Sequence, residues 1–468
     1  MLKKIIPTLL FLLSCSVYSI DNVLVDELEY LGASEESWMA VGIRNSIIND
    51  LSGIGGKYDL NIITVKEQTE AMQSLNERRK TGEKINLAKE LERLLNIKYR
   101  CNGSIQNSKG VIRVTVKILK SPSFTIWKST VTDKKRAEIL SLQNEIVFNL
   151  MNGFDKKISV DEQSKISQNK PKNETAYELY SKGNQLKSTN PSEAVKFYEK
   201  AIEADDNYFI PLVEASELLV FPLRDLSKAE KFLKKAESIL LDQGIQNTEE
   251  YAYLLFVIGR FYSESREDHS DGGYYTKSKE LYESLNLQKS KRYAVVISHL
   301  GMLKWNIELL KESLIILEKI GQRNSIEYFR ALMALTNYYQ KQKLQDREAI
   351  RDGFQKLTAL IDTLGLKQTS LHSQLLLNIG AFYNDFKKSD FAIEHLNKSL
   401  LIKEKLQLEN TEGYIYVMLN LGNAYSEKGQ KEKALSYYKK CKEISDNLGF
   451  KDESYYPFVL ESIKTLSK

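Results

Sequence analysis

Between Leu419 and Ile444 the apolar positions fall on two helical faces separated by a Glu-Lys-Gly-Gln turn. Leu421, Gly422 and Tyr425 precede the turn; Ala434, Tyr438 and Cys441 follow it. This order of small and large residues predicts two helices packed side by side, the small residues permitting close approach and the tyrosines filling the space between. One such hairpin leaves an apolar face bare, so it needs stacked neighbours. Upstream patterns supply them: Gly183, Ala194, Tyr198 and Ala201; then Ala229, Leu233 and Ala236; then Gly259 and Tyr262 with Ser278, Tyr282 and Leu285. Gly301, Ser313, Leu317 and Ile320 mark a fourth unit, and a degenerate fifth runs through Asn337 and Tyr339. Gly380, Tyr383, Ala392, Leu396 and Ser399 make a sixth, and residues 455–466 read as a closing helix.

Residues 22–154 follow a different pattern. Strand-like runs at 23–31, 61–65, 99–105, 111–119 and 124–131 alternate with helical stretches at 35–51, 66–79, 85–95 and 137–154. Ser52-Gly53 is expected to stop the first helix, and Asn107-Ser108-Lys109-Gly110 to turn one strand into the next. A small sheet mixed with helices predicts an α/β or α+β domain. The polar run 155–173, with Pro171 near its end, reads as a linker to the repeats at 174–468.

The repeat pattern resembles the tetratricopeptide repeat (TPR), so the chain is expected to be an amino-terminal α/β (or α+β) domain followed by an all-α TPR superhelix of about seven units. The glycines at 259, 301, 380 and 422 are spaced by about 42 residues, allowing one intervening repeat. That exceeds the usual ~34 and looks like the kinesin-light-chain or Rap type. In the first domain, VGIRNSIINDLS (41–52), NGSIQNSKGVIRVTVKIL (102–119), Ile126-Trp127 and LQNEI (142–146) resemble, in that order, the TolB amino-terminal-like domain. They are also similar to FlgO- and CsgG-type envelope lipoprotein domains. The resemblance implies a non-enzymatic bacterial envelope module and carries over no catalytic residue. It implies an exported interaction scaffold whose partner is another envelope protein or peptide segment. The alternative it implies is a regulatory lipoprotein of an envelope enzyme or of a secretion or cell-wall complex.

The amino terminus adds to this picture. Lys3 and Lys4 precede the run IIPTLLFLLS, too short to span a bilayer, so residues 1–19 read as an export signal. Two mature ends fit: cleavage after Ser19, or a lipoprotein box at Leu12-Leu13-Ser14-Cys15 with Cys15 lipidated and attached to the membrane. Either places the chain in the periplasm or at the outer membrane. Cys101 and Cys441 each replace a small core residue and read as buried thiols.

Charge argues against nucleic acid. The net +5 arises from 67 basic and 62 acidic residues interspersed along the chain, without a basic stripe to track phosphates. No cofactor or metal is expected. His269, His299, His372 and His395 lie in different repeats without spaced partners, and the loop 265–273 lacks calcium-loop spacing. Gly53-Ile54-Gly55-Gly56-Lys57 follows a helix and precedes Tyr58, unlike a phosphate loop, so helix capping is the expectation there. No nucleophile elbow is present, and no enzyme is expected.

Binding chemistry is expected in the groove of the superhelix, lined by the first helix of each pair. The TPR resemblance implies that its inward-facing positions fall on Tyr253, Phe256 and Arg260, with Met302, Trp305 and Asn306 in the next unit, then Leu377, Asn384 and Asp385, and finally Asn423 and Glu427. Side-chain amides bridge to a peptide backbone, and aromatic rings take apolar anchors.

Overall fold

The computed structural model describes residues 20–467 apart from 81–82, 169, 188, 222, 266–269, 343–346 and 452. The expected export signal, Cys15 and His269 lie outside the described residues.

In the first domain β1 (Asp21–Val25), β2 (Glu29–Leu31), β3 (Leu60–Ile63), β4 (Ile97–Ser108), β5 (Val111–Lys120) and β6 (Thr125–Lys135) form one mixed sheet. Its order is β3-β1-β4-β5-β6, with β2 also beside β4. β1 runs parallel to β3 and β4, and the two long hairpins β4–β5 and β5–β6 are antiparallel. The helices are α1 (Trp38–Gly55), α2 (Val65–Lys80), α3 (Leu87–Leu94), α4 (Ile139–Gly153) and α5 (Val160–Gln168). β1 is apolar on both sides because both are covered. Val23 and Val25 join the core under α1 and α4, while Leu24 joins that of α2 and α3.

Three local expectations are corrected. The single strand expected over 23–31 is broken into β1 and β2, both paired with β4. At the break the Val25 carbonyl accepts from Arg44 and Gln68, and the Asp26 carboxylate takes Arg100 at 2.6 Å, so side chains replace the ladder. Ser52-Gly53 does not stop α1, which continues to Gly55. Gly55 instead answers close packing: a Cβ there would lie 2.8 Å from the Leu60 carbonyl oxygen. The run 155–173 is not a free linker. Its Ser159-x-x-Glu162 sequence forms a capping box for α5, Glu162 accepting from Ser159 N at 2.8 Å and from the Tyr58 hydroxyl at 2.7 Å. Ile166 is buried in the first domain's core, and Lys170 pairs with buried Asp50.

The remaining helices form hairpins. They are α6 (Glu174–Leu186) with α7 (Pro191–Ala204), α8 (Ile210–Val220) with α9 (Leu226–Asp242), and α10 (Glu249–Ser265) with α11 (Tyr274–Ser284). Next come α12 (Lys291–Leu303) with α13 (Ile307–Lys319), and α14 (Ile326–Lys341) with α15 (Arg347–Thr363). Then follow α16 (Ser370–Asp385) with α17 (Ser389–Lys405), α18 (Glu412–Glu427) with α19 (Lys431–Leu448), and the closing α20 (Tyr456–Leu466). Within a pair the glycine meets the large residue of the second helix. A Cβ at Gly422 would lie 2.6 Å from the Tyr438 ring, one at Gly183 2.5 Å from Tyr198, and one at Gly380 2.5 Å from Leu396. Gly422 therefore faces Tyr438 rather than Ala434, which is itself fully buried.

The first domain does not hang free of the array. It is seated along the loops that lead from one pair into the next. Trp38 packs edge-on against Tyr177 of α6 at 5.7 Å, and Arg136 pairs with Glu174 at 2.9 Å. Further along, Asp59 meets Lys289, and Glu67 meets Lys291. Asn22 and Asn96 close on Gly321, and the Ser74 hydroxyl donates to the Thr363 carbonyl at 2.9 Å. Gly321 and Gly365 both have positive φ, and a Cβ on either would collide with the first domain.

Two stability measurements test this packing. Ala434→Leu forces extra volume into a closed pair and is expected to cost about 1–3 kcal/mol. Exposed Lys431→Leu should leave the melting temperature nearly unchanged. Lys291→Ala strips the cation from Glu67 and Glu327, at 2.8 and 3.1 Å, and is expected to cost about 3 kcal/mol in denaturant unfolding. Adding Glu67→Gln to Lys291→Ala should recover part of the loss.

Candidate functional site

The inner residues of the array divide into two chemistries. On α8–α12 they are charged and aromatic, and they satisfy one another. Tyr253 and Arg260 both reach the Glu217 carboxylate, at 3.0 and 3.2 Å. Arg292 lies over the Tyr253 ring at 4.5 Å and pairs with Glu249 at 3.3 Å. Phe256 is buried, with the His299 ring edge-on to it at 5.0 Å.

Trp305 and Asn306 are displaced from the expected stripe because α12 ends at Leu303, so both fall in the turn to α13. Asn306 is spent as the cap of α13, its side chain accepting from the Glu308 and Leu309 amides. Trp305 has a φ of 49° and is 47% exposed, with the Lys341 ammonium 4.5 Å from its ring and Tyr338 beside it. Met302 is half-buried and Leu377 fully so. Asn423 accepts from the Tyr438 hydroxyl at 2.8 Å, as Asn184 does from Tyr198 at 2.7 Å, so both hold their own pair together. Glu427 is exposed and pairs with Lys387.

The second chemistry runs across α14, α16 and α18 and is built from amides. Asn378 donates to Asn337 at 3.0 Å and receives from Gln374 at 3.0 Å. Gln340 donates to Asp385 at 3.3 Å. Asn384 donates to the Asn420 backbone carbonyl at 2.9 Å, and Asn420 in turn donates to the Tyr416 carbonyl. Asn337, Gln374, Asn378, Asn384 and Asn420 are all half-buried. Each amide has more donor and acceptor capacity than one bond uses, which suits it to bridge to a polypeptide backbone laid across the three helices. The sequence register passed over Asn337, Asn378 and Asn420. A signal was present: Asn378 and Asn420 each stand two residues before the glycine of their unit, Gly380 and Gly422.

The other candidates resolve into structural roles. Asp271 accepts from the Gly273 and Tyr275 amides and caps α11. His395 Nδ1 lies 2.8 Å from the Phe391 carbonyl of its own helix. Cys101 and Cys441 are buried free thiols, and burial pushes Cys441 up to about 11. Among the described residues no cluster of three metal-ligating side chains occurs, and no helix is long and apolar enough to cross a membrane.

Two buried groups titrate in opposite senses. Burial raises the Glu249 carboxyl to about 7 despite Arg292 beside it, and its neighbours across the domain joint include Asp50, Lys57 and Glu162. Burial lowers His299 to about 4, partly opposed by the Val295 carbonyl. A raised carboxyl pKa stabilises the fold at low pH, a contribution lost as pH rises through about 7. A lowered imidazole pKa gives stability that is full above 6.5 and lost as pH falls towards about 4. The two slopes offset each other between these limits. In urea titrations Glu249→Gln should expose the histidine slope, stability falling towards acid. His299→Gln should expose the carboxyl slope, stability falling as pH rises from 5 to 7. Each change is expected to be about 3 kcal/mol at most.

Residues 371–447, spanning α16 to α19, match the family model described as Tetratricopeptide repeat. Over those residues the helix pairs are similar to tetratricopeptide repeats. No curated protein matches the chain. Among solved structures, the APC/C hetero-tetramer Cut9-Hcn1 is similar over 71% of this chain and 56% of that one, at 16% identity and a TM-score of 0.46. A Rap protein complexed with competence and sporulation factor is similar over 70% and 92%, at 13% identity and 0.41. The BtubC protein from P. vanneervenii is similar over 48% and 91%, at 16% identity and 0.37.

Proposed function

We propose that this chain is an exported interaction scaffold that holds an extended segment of another envelope protein across the inner faces of α14, α16 and α18. The observation that carries the reading is the half-buried amide ladder of Asn337, Asn378 and Asn420, continued by Asn384. Amides cost less to desolvate than charges, and they read a backbone in either direction, so the site favours an extended strand over a particular charge pattern. The first domain, seated on the loop edge, serves as a brace that fixes the curvature of the repeats. The leader pattern Lys3-Lys4 followed by an apolar run supports export. The first domain's likeness to envelope modules supports a periplasmic or outer-membrane location, with Cys15 as a lipid attachment point.

Crosslinking in cells followed by identification of the captured protein supplies the partner for titration. Asn378→Ala and Asn420→Ala should each weaken its binding about tenfold, which is about 1.4 kcal/mol, while circular dichroism stays unchanged. Unchanged affinity in both would move binding off the ladder. Intact-mass analysis of the cellular protein should find a chain beginning at Cys15 or Ile20. A cytoplasmic product beginning at Met1 would overturn the export reading.

A further inference from the structure

At the end of the sheet where β1 begins, lysines and large apolar side chains share one surface. Lys98, Lys120 and Lys156 all lie within electrostatic reach of the half-buried Asp21 carboxyl, as does the Asp59 carboxylate, so the three lysines outnumber the two anions there. The Lys120 ammonium sits 4.1 Å from the Trp127 ring centre and 5.8 Å from that of Tyr99, which joins the two strand ends into one patch. Trp127 and Ile126 open the edge strand β6 and are 46% and 59% exposed. Lys128 pairs with Asp155 beside them. The array lies on the other flank of this end, where Asp59 meets Lys289 and Asn22 meets Gly321.

We propose that this end of the first domain rests on an anionic bilayer surface, with Trp127 and Ile126 entering the headgroup layer and Lys98, Lys120 and Lys156 facing lipid phosphates. Two arguments select this occupant. The first is charge complementarity combined with an indole at the rim, the chemistry of an interface that is apolar on one side and anionic on the other. The second is where the chain emerges. The nineteen residues before Ile20 contain the apolar run from Ile5 to Leu13, and they join the fold at β1, within reach of the same lysines. A lipid on Cys15 would stand five residues from Ile20, a span of at most ~18 Å, so it would hold this end against the membrane. The proposal is independent of what occupies the amide ladder.

The test uses the chain from Ile20 onward, which carries every described element, sedimented with vesicles of phosphatidylcholine alone or mixed with phosphatidylglycerol. Binding is expected only to the mixed vesicles, falling as salt is raised, with a blue shift of tryptophan emission that Trp127→Phe removes. Each of Lys98→Gln, Lys120→Gln and Lys156→Gln should weaken partitioning about fivefold. Ile126→Ser and Trp127→Ala, at exposed positions, keep the test valid where a lysine variant unfolds. Equal binding to both vesicle types, or unchanged partitioning in all five variants, would overturn the proposal. So would self-association without lipid that Trp127→Ala abolishes, since it would assign the patch to a second copy of the chain.

Discussion

A single buried ammonium shared by two domains sets the arrangement of this molecule. Lys291, at the start of α12, stands between Glu67 of the first domain and Glu327 of α14, and its side chain is only 14% exposed. Three charges out of water are costly unless each finds its partner, so the contact is satisfied only when α2, α12 and α14 are all in place. Such a triad contributes less to net stability than to uniqueness, because every sliding of the domain along the array separates charges that solvent no longer covers. Gly321 and Gly365 reinforce the same seating. Their positive φ values let two loops pass beneath the first domain where any side chain would push it away. A repeat array is compliant because each unit touches only its neighbours. A domain fastened to successive loops restricts that compliance.

What the sequence made legible was local. Helix pairs announce themselves through the spacing of Gly422, Tyr425, Ala434 and Tyr438, since those contacts lie within about twenty residues and repeat along the chain. The hairpin of β4 and β5 was readable for the same reason, the two strands being joined by Lys109-Gly110, whereas the parallel pairing of β1 with β3 and β4 was not. Docking was not readable. Ser74 meets Thr363, and Asn96 meets Gly321, across separations no periodicity encodes, and Lys291 looks like any lysine after a serine cap. The strap at 155–173 was hidden by its polarity, although Ser159 and Glu162 spelled a capping box and Ile158 and Ile166 supplied apolar anchors. In the groove, the register failed where a helix was shorter than assumed. α12 stops before Trp305, so two expected lining residues became a turn and a cap. Asn378 and Asn420, two residues before Gly380 and Gly422, were overlooked because the register took other positions of the helix as inward, and Asn337 because its helix carries no glycine landmark.

The two halves of the inner face differ in what binding would require of them. Around Tyr253 the charges are already paired: Glu217 holds Arg260 and Tyr253, and Glu249 holds Arg292. A ligand entering there would have to replace these contacts one for one, and each displaced charge would be left partly desolvated. The amide ladder carries no such debt. Asn378 bonds to Asn337 and Gln374, and Asn420 to Asn384 and the Tyr416 carbonyl; these bonds are all neutral, and a peptide backbone exchanges for water at the remaining donors and acceptors without unpairing a charge. The charged half therefore behaves as structure, with Glu249 reaching the joint with the first domain, and under the proposed function the amide half is the face that takes a partner. The seating of the first domain overlaps both halves. Its contacts run from α6 to the loop at Thr363–Gly365, and α18 to α20 lie beyond them. The docked domain thus braces the self-paired stretch together with α14 and the loop into α16, and only the α18 end of the amide ladder lies beyond it.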